Sequence, residues 1–146
     1  MSMYRKLKDY FRAPEDYITF VSVLYWAVRL EFFIRRRGLM DLIKLLTPRR
    51  TRRGHRARRI VVFVNWWLNR SIFMLRPTCL RRSLLLYRFL TREGLPVRIH
   101  YGIKKTSDRS EGHSWLTLDD RPFLQDGLIA ESYKETLVFP PNADPY

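Results

Sequence analysis

The sequence predicts an α+β fold, in which a helical N-terminal half precedes one long helix and a small antiparallel sheet. Apolar residues recur at helical spacing through the first half, a helix with clear start and stop signals begins at Cys79, and strand-like alternation follows Gly94. We therefore divide the chain into a helical, arginine-rich region at residues 1–75 and a core at residues 76–146. A chain of 146 residues is long enough to bury a hydrophobic core.

Proline and glycine mark the ends of the predicted helices in the N-terminal half. Pro14 opens a helix that runs to Arg37 and stops at Gly38, and its many apolar residues predict burial on more than one side. Further helices are predicted over Leu39–Leu46 and Arg59–Leu75. The uncharged stretch of the first helix has 12 residues, fewer than the about 20 that cross a bilayer, so a buried helix is predicted.

Positive charge is concentrated in the N-terminal half. The net charge is +14, and residues 1–75 hold 17 Lys and Arg against 5 Asp and Glu. Seven arginines lie between Arg49 and Arg59, a basic loop attracted to an acidic peptide, another protein, an anionic membrane surface or nucleic acid. A solvated loop without a partner explains the charge equally well. No DNA- or RNA-binding motif accompanies it, so no specific nucleic-acid partner is predicted.

The helix that begins at Cys79, the only cysteine, is the centre of the prediction. Pro77 and Thr78 are typical of a helix start, and Gly94 with Pro96 of a helix end. A helix start offers free N–H groups and the positive end of the macrodipole, which favour a thiolate. Since a lone cysteine is more often a small buried hydrophobe, the helix alone does not establish a nucleophile.

Alternating polar and apolar residues predict an antiparallel sheet after this helix. The predicted strands are Val97–Tyr101, His113–Leu118, Arg121–Gln125 and Lys134–Phe139, with a polar loop at 104–112. A two-residue turn at Asp119-Asp120 would place Asp126 opposite His113, at a Cβ distance of about 5 Å. A three-residue loop would place Asp126 opposite Ser114 instead, leaving Gln125 or another acid as the partner of the histidine.

A helix-start cysteine followed by an antiparallel sheet with an early histidine is the order of parts in papain-like and transglutaminase-like enzymes. A thiolate attacks an amide carbonyl, an imidazole moves the proton, and a third polar group fixes the imidazole tautomer. Cys79, His113 and Asp126 are therefore the candidate catalytic residues. His55 and His100 are assigned no role beyond solvation or packing. The histidine spacings match no ligand motif, and no metal or cofactor is predicted.

The motifs are similar to those of the transglutaminase-like cysteine-protease domain of lasso-peptide leader peptidases. They are the Cys79–Leu90 helix, the Arg92–Arg98 turn into a strand, Gly102-Ile103, Gly112–Leu116 and Arg121-Pro122. The resemblance covers roughly residues 60–126 and implies that Cys79 is the nucleophile, His113 the base and Asp126 the orienting acid. The chain departs from the family at Asp120, where glycine is usual, and at Gln125, where the acid usually lies.

The resemblance implies removal of the leader peptide from a ribosomally made precursor, together with a separate ATP-dependent cyclase. Nothing in residues 1–75 predicts a fused recognition domain, so a separate leader-recognition protein is expected. The arginine loop is predicted to dock to that protein, to the cyclase or to a membrane surface. One cysteine and the lack of a signal-peptide pattern predict a cytoplasmic setting, and the resemblance implies a bacterial one. A transamidase, an inactive binding module of the same fold and a basic nucleic-acid-binding protein are the alternatives.

Overall fold

Helices come first in the chain and a four-stranded sheet follows, which confirms the α+β prediction. The computed structural model describes residues 6–52, 54, 56–70, 78–124 and 127–140. The elements are α1 (Pro14–Ile34), α2 (Leu39–Leu46), α3 (Ala57–Leu68), α4 (Cys79–Arg92), β1 (Val97–Lys105), β2 (Ser110–Leu118), β3 (Arg121–Phe123), α5 (Gly127–Glu131) and β4 (Lys134–Phe139). The short helix α5 was not predicted, and the second and fourth predicted helices are close to α2 and α4.

The first and third helices end earlier than predicted. Helix α1 begins at Pro14, as predicted, but ends at Ile34 rather than Arg37. Its start is capped by Asp16, whose carboxylate accepts the backbone N–H groups of two preceding residues at 2.9 Å. Helix α3 ends at Leu68 instead of Leu75, and residues 71–77 lie outside the described part of the chain.

Helix α4 has the two ends that its sequence predicts. At its start, Thr78 is the N-cap, and its hydroxyl accepts the backbone N–H of Arg81 at 3.3 Å. At its end, Gly94 has a φ of +79°, which a residue with a side chain adopts only with strain. Hydrogen bonds run from the N–H of Gly94 to the carbonyl of Thr91 and from that of Leu95 to Leu90. This pairing is the Schellman motif that glycine makes possible.

The sheet is antiparallel, with strand order β3-β2-β1-β4. Its β2–β3 hairpin has the predicted two-residue turn, because Asp119 and Asp120 both have positive φ, 50° and 59°. The predicted loop at 104–112 is wrong in extent, since β1 continues to Lys105 and β2 begins at Ser110. Those strand ends are polar because they project into solvent, where the backbone ladder alone holds them.

The hydrophobic core lies between the helices and one face of the sheet. Helices α1 to α4 contribute to it along with Ile99 and Leu116 from the two central strands. Tyr87 of α4 is fully buried there, and its hydroxyl shares a hydrogen bond of 3.0 Å with Thr47. Burial raises the pKa of Tyr87 above its usual value despite that hydrogen bond. One hydrophobic core therefore includes residues from both halves of the sequence.

Helix α1 is buried on one side only, so the prediction that it is covered on more than one side is wrong. Val23, Ala27 and Leu30 are in the core, each at most 2% exposed. On the other side, Val21 and Val28 are 61% and 57% exposed. The exposed apolar residues on this side of α1 therefore do not contribute to the hydrophobic core.

Two arginines of the basic loop at residues 49–59 form ion pairs with helix α1. Arg59 donates two hydrogen bonds, 2.8 and 2.9 Å, to Asp16 of α1, and Arg56 pairs with Glu15. Burial alone would raise the pKa of Asp16, but hydrogen bonds from the backbone of Arg12 and from Arg59 lower it below the usual 3.8. Asp16 is only 1% exposed, so its charge depends on these donors.

A second junction joins the loop after α2 to the end of α4. Both Nε and Nη2 of Arg52 donate to one oxygen of Glu93, at 3.0 and 2.9 Å, and Glu93 is 4% exposed. Arg52, Arg56 and Arg59 therefore have internal partners, which a solvated or docking loop does not predict. Arg49, Arg50 and Arg58 remain exposed.

Candidate active site

Cys79 is the first residue of α4, as predicted, and its thiol is free and partly exposed. The Thr78 cap fixes the turn that carries it. Arg81 reinforces this turn, because its Nη1 donates to the Thr78 hydroxyl at 3.2 Å while its Nε and Nη2 bind Glu31 of α1 at 2.7 and 2.8 Å. The position of the thiol is thus held from two helices.

His113 lies in β2, and two aromatic rings contact its imidazole. The centroid of Trp115 is 5.9 Å away at an interplanar angle of 18°, and that of Tyr133 is 4.9 Å away at 30°. Trp115 in turn stacks on His100 at 5.4 Å, nearly parallel. The four rings form a column, which restricts rotation of the His113 ring.

Gly102 faces His113 across the β1–β2 ladder. A Cβ atom at this position would lie 3.0 Å from Trp115, 3.0 Å from Tyr133 and 3.0 Å from the carbonyl oxygen of Lys134. The pairing of β1 with β4 shifts register between residues 101 and 102, directly beside this point. Glycine is needed here because the Trp115 ring, the Cβ atom of Tyr133 and the backbone of a neighbouring strand all approach it closely.

A small cleft of about 100 Å³ brings Cys79 and His113 together. Its walls come from α4, β2 and the start of the segment after β3. They are Cys79, Arg82, Ser83, Leu86, His113, Ser114, Leu116, Phe123 and Leu124. Ser83, one helical turn after the cysteine, faces the cleft as its spacing suggests. Cys79 and His113 therefore both border this cleft.

A second, larger depression of about 460 Å³ also borders Cys79. Asn65 and Asn69 from the end of α3 line it together with Thr78, and Arg82 is shared with the first cleft. The second depression is therefore mainly polar, whereas the first has both apolar and polar walls. An extended chain lying across both depressions would pass over the sulfur.

The sequence matches the transglutaminase-like superfamily over residues 20–138. The chain belongs to the transglutaminase-like superfamily. Comparison with curated proteins and with solved structures gave no significant match. Membership of the superfamily fits cysteine-protease or transamidase activity in general. Both chemistries use a cysteine thiol and an imidazole, the pair that lines the cleft here.

The third catalytic position of this transglutaminase-like chain stays a prediction. Asp126 and the alternative Gln125 both lie outside the described residues. The counted register is confirmed for three pairs, ending at Leu116 opposite Phe123. Beyond them the predicted third strand is too long, because Leu124 has a φ of +60° and leaves the ladder. The observed strand pairing therefore does not show which residue lies opposite His113 in β3 or beyond it.

Sequence reasoning missed the residues that orient the histidine. Tyr133 lies 20 positions after His113, in the turn before β4, and no local pattern connects them. His100 proves to be a packed residue, as one of its expected roles allowed. It hydrogen-bonds Glu135 at 2.7 Å and Thr117 at 2.9 Å. His55 lies outside the described residues.

The described part of this transglutaminase-like chain contains no cluster of potential metal ligands. Within residues 6–52, 54, 56–70, 78–124 and 127–140, no three His, Cys, Asp or Glu side chains are grouped to hold an ion. The two ring nitrogens of His100 are engaged by Glu135 and Thr117. The site is accordingly described by its thiol and imidazole.

Proposed function

We propose that the protein is a cysteine endopeptidase that removes the leader peptide from a ribosomally synthesised precursor during lasso-peptide biosynthesis. The observation that carries the proposal is the shared cleft of Cys79, on the first turn of α4, and His113, on β2. Superfamily membership supports thiol chemistry of this kind. The leader-peptidase assignment rests on the motif resemblance around these two residues.

Each step of the reaction has a group to perform it. The imidazole of His113 takes the proton of the Cys79 thiol, and the sulfur attacks the scissile carbonyl. As the C–N bond breaks, the imidazole returns the proton to the departing amine and a thioester remains on the enzyme. Water, deprotonated by the same imidazole, then hydrolyses the thioester and restores the thiol.

Two depressions that both border Cys79 suit an extended peptide. In one, Leu86, Leu116 and Phe123 give an apolar wall, and in the other Asn65 and Asn69 offer amide groups. A cleft of about 100 Å³ is narrow for a folded segment, which favours a flexible leader. A separate leader-recognition protein would bring the leader to this cleft, and the cyclase would take the released core peptide.

Mass spectrometry of a precursor incubated with this protein, a leader-recognition protein and a cyclase tests the proposal. We expect the wild type to cleave one bond, Cys79→Ala to leave the precursor intact, and His113→Ala to slow cleavage by about a hundredfold or more. Cleavage by folded Cys79→Ala would refute the assignment. Circular dichroism of each variant verifies that the fold is retained.

An added primary amine separates hydrolysis from transamidation. A peptidase yields free leader, whereas a transamidase yields an amine adduct of higher mass. Because the chain has one cysteine, alkylation by iodoacetamide reports Cys79 alone and needs no substrate. We expect His113→Ala to slow this alkylation at neutral pH, since the imidazole helps to form the thiolate. Equal alkylation rates in the wild type and His113→Ala would mean that His113 does not help to deprotonate Cys79.

A further inference from the structure

The outward side of α1 carries an apolar stripe that is independent of the active site. Six of the ten exposed large hydrophobic residues in the described ranges belong to it. They are Tyr17 (60% exposed), Ile18 (67%), Val21 (61%), Tyr25 (53%), Val28 (57%) and Phe32 (53%). Apart from the adjacent pair Tyr17 and Ile18, successive members are three or four residues apart. They therefore lie on one face of the helix, which we call the α1 outer face. Contiguous exposed apolar surface of this kind marks an interaction site.

The inner side of α1 is held in the protein core, so the helix cannot cross a membrane. By length and composition the helix could cross a membrane, with 21 residues and a mean hydropathy of 1.5 in its most apolar window. However, its inner side is in the core, and its acids Asp16 and Glu31 are buried against Arg59 and Arg81. Pulling the helix out would leave these charges without partners in an apolar medium. Only the outer face is available to a partner.

Positive charge predominates along the border of the α1 outer face. All three acids of α1 pair with arginines of other elements, namely Glu15 with Arg56, Asp16 with Arg59 and Glu31 with Arg81. Arg35 and Arg36 are exposed where the stripe ends, and Arg36 lies over the Phe32 ring at 4.0 Å. Arg29 donates to the Tyr25 hydroxyl at 2.8 Å. Arginines thus border the apolar stripe.

We propose that the α1 outer face binds the surface of an anionic lipid membrane, with the helix lying flat in the interface. The stripe from Tyr17 to Phe32 is about 22 Å long at 1.5 Å per residue. Its mixture of aromatic, aliphatic and arginine side chains suits the boundary between headgroups and acyl chains. Anionic headgroups complement the bordering arginines and the net charge of +14.

Lipid fits this face better than a protein partner does, because the face is the convex outside of one helix. A protein would need a groove shaped to that helix and acids placed opposite its arginines. A fluid bilayer moulds itself around the stripe and supplies anionic groups along its whole length. The proposal does not depend on the proposed catalytic function, since it names no residue of the cleft.

Vesicle co-sedimentation of the full chain tests the proposal, with vesicles of phosphatidylglycerol and phosphatidylethanolamine or of phosphatidylcholine alone. The test variant is Ile18→Glu with Val28→Glu, two exposed positions whose change spares the core. The matched control is Leu128→Glu with Ile129→Glu, which adds the same charge at side chains that are 73% and 49% exposed on α5.

We expect the wild type and the control to partition onto anionic vesicles, and the test variant to lose about tenfold or more of that affinity. Arg35→Ala with Arg36→Ala should remove most of the preference for anionic over neutral vesicles. High salt should weaken binding of the wild type in the same way.

Two results would overturn the proposal. One is equal partitioning of the wild type, the test variant and the control. The other is absence of vesicle binding together with a lipid-free dimer, seen by analytical ultracentrifugation, that the test variant abolishes, because the face would then join two copies of the chain.

Discussion

His113 depends on a residue that has no side chain. Gly102, opposite it in β1, leaves room for Trp115 and Tyr133, whose rings both contact the imidazole. A methyl group at 102 would meet both aromatic residues and the carbonyl oxygen of Lys134 at 3.0 Å. The backbone oxygen belongs to the β1–β4 pairing and cannot move freely. The rings must therefore shift, and the imidazole with them.

We predict that Gly102→Ala lowers the catalytic rate, or the alkylation rate of Cys79, by about tenfold or more because the imidazole is displaced. Overpacking should also cost about 1–3 kcal/mol of stability. Alkylation kinetics across pH measure the first effect, and denaturant unfolding the second.

The matched control is Gly38→Ala, where a Cβ would meet nothing within 4 Å and φ is −65°. We expect it to change neither alkylation nor, by more than about 0.5 kcal/mol, stability. If folded Gly102→Ala reacted like the wild type, the ring column would have no bearing on His113.

The two candidate residues could be predicted from sequence, whereas their supports could not. Cys79 follows a helix-start signal and His113 starts an alternating strand, so each has a local pattern. The contact of His113 with Tyr133 depends on how β4 pairs with β1, including a shift of register beside residue 102. Long-range pairing of that kind leaves no trace in a window of neighbouring residues.

Among the elements, the β2–β3 hairpin is the one whose geometry most constrains its residues. Asp119 and Asp120 both adopt positive φ, which L-residues other than glycine, asparagine and aspartate reach at a cost of about 1–2 kcal/mol. The turn sets the register of the three pairs below it. The ion pair of Asp120 with Arg98 adds little, because the Asp120 side chain is 81% exposed.

We predict that Asp120→Val destabilises the protein by about 1–2 kcal/mol, since a β-branched residue opposes positive φ. Asp120→Gly should leave stability equal or higher, within about 1 kcal/mol, because relief of strain offsets the added freedom of the unfolded chain. Urea unfolding measures both.

Asp108→Val serves as the control, because Asp108 is also exposed but does not have positive φ. A shift below about 0.5 kcal/mol is expected there. Equal losses at positions 108 and 120 would show that backbone strain is not the cause.

Element boundaries show where sequence patterns succeed and where they fail. Pro14 and Gly94 mark true helix ends because proline lacks a backbone N–H to donate and glycine permits the positive φ of a helix end. The polar stretch at 104–112 was wrongly predicted to be a loop throughout. Strand ends that project into solvent need hydrogen-bonding partners in the ladder but no apolar residues. The outward side of α1 was wrongly predicted to be buried, because apolar residues need not be in the core.

At the scale of the whole molecule, buried ion pairs connect the N-terminal helices to the rest. Among the described residues, Arg52 donates two hydrogen bonds to the Glu93 carboxylate, and Glu93 is nearly inaccessible to water. We predict that Arg52→Ala destabilises the protein by about 2–3 kcal/mol, because the buried carboxylate loses its charge-assisted hydrogen bonds. Thermal or urea unfolding provides the measurement.

Arg50→Ala is the matched control, two residues away, exposed and equal in charge. We expect it to change stability by less than about 0.5 kcal/mol. A similar loss in both variants would indicate that net charge, rather than the Arg52–Glu93 pair, sets the stability. Tests of docking by the arginine run should accordingly use Arg49, Arg50 and Arg58, which leave these junctions intact.

Arg81 also limits how this protein can evolve. It lies two residues after the nucleophile, yet its carboxylate partner Glu31 comes from the other half of the sequence. Recombination with a relative anywhere between the two positions would have to bring a compatible acid and base together, or leave one charge buried alone. The two halves are therefore expected to be inherited as a unit, and shuffled hybrids should survive only when the crossover preserves this pair.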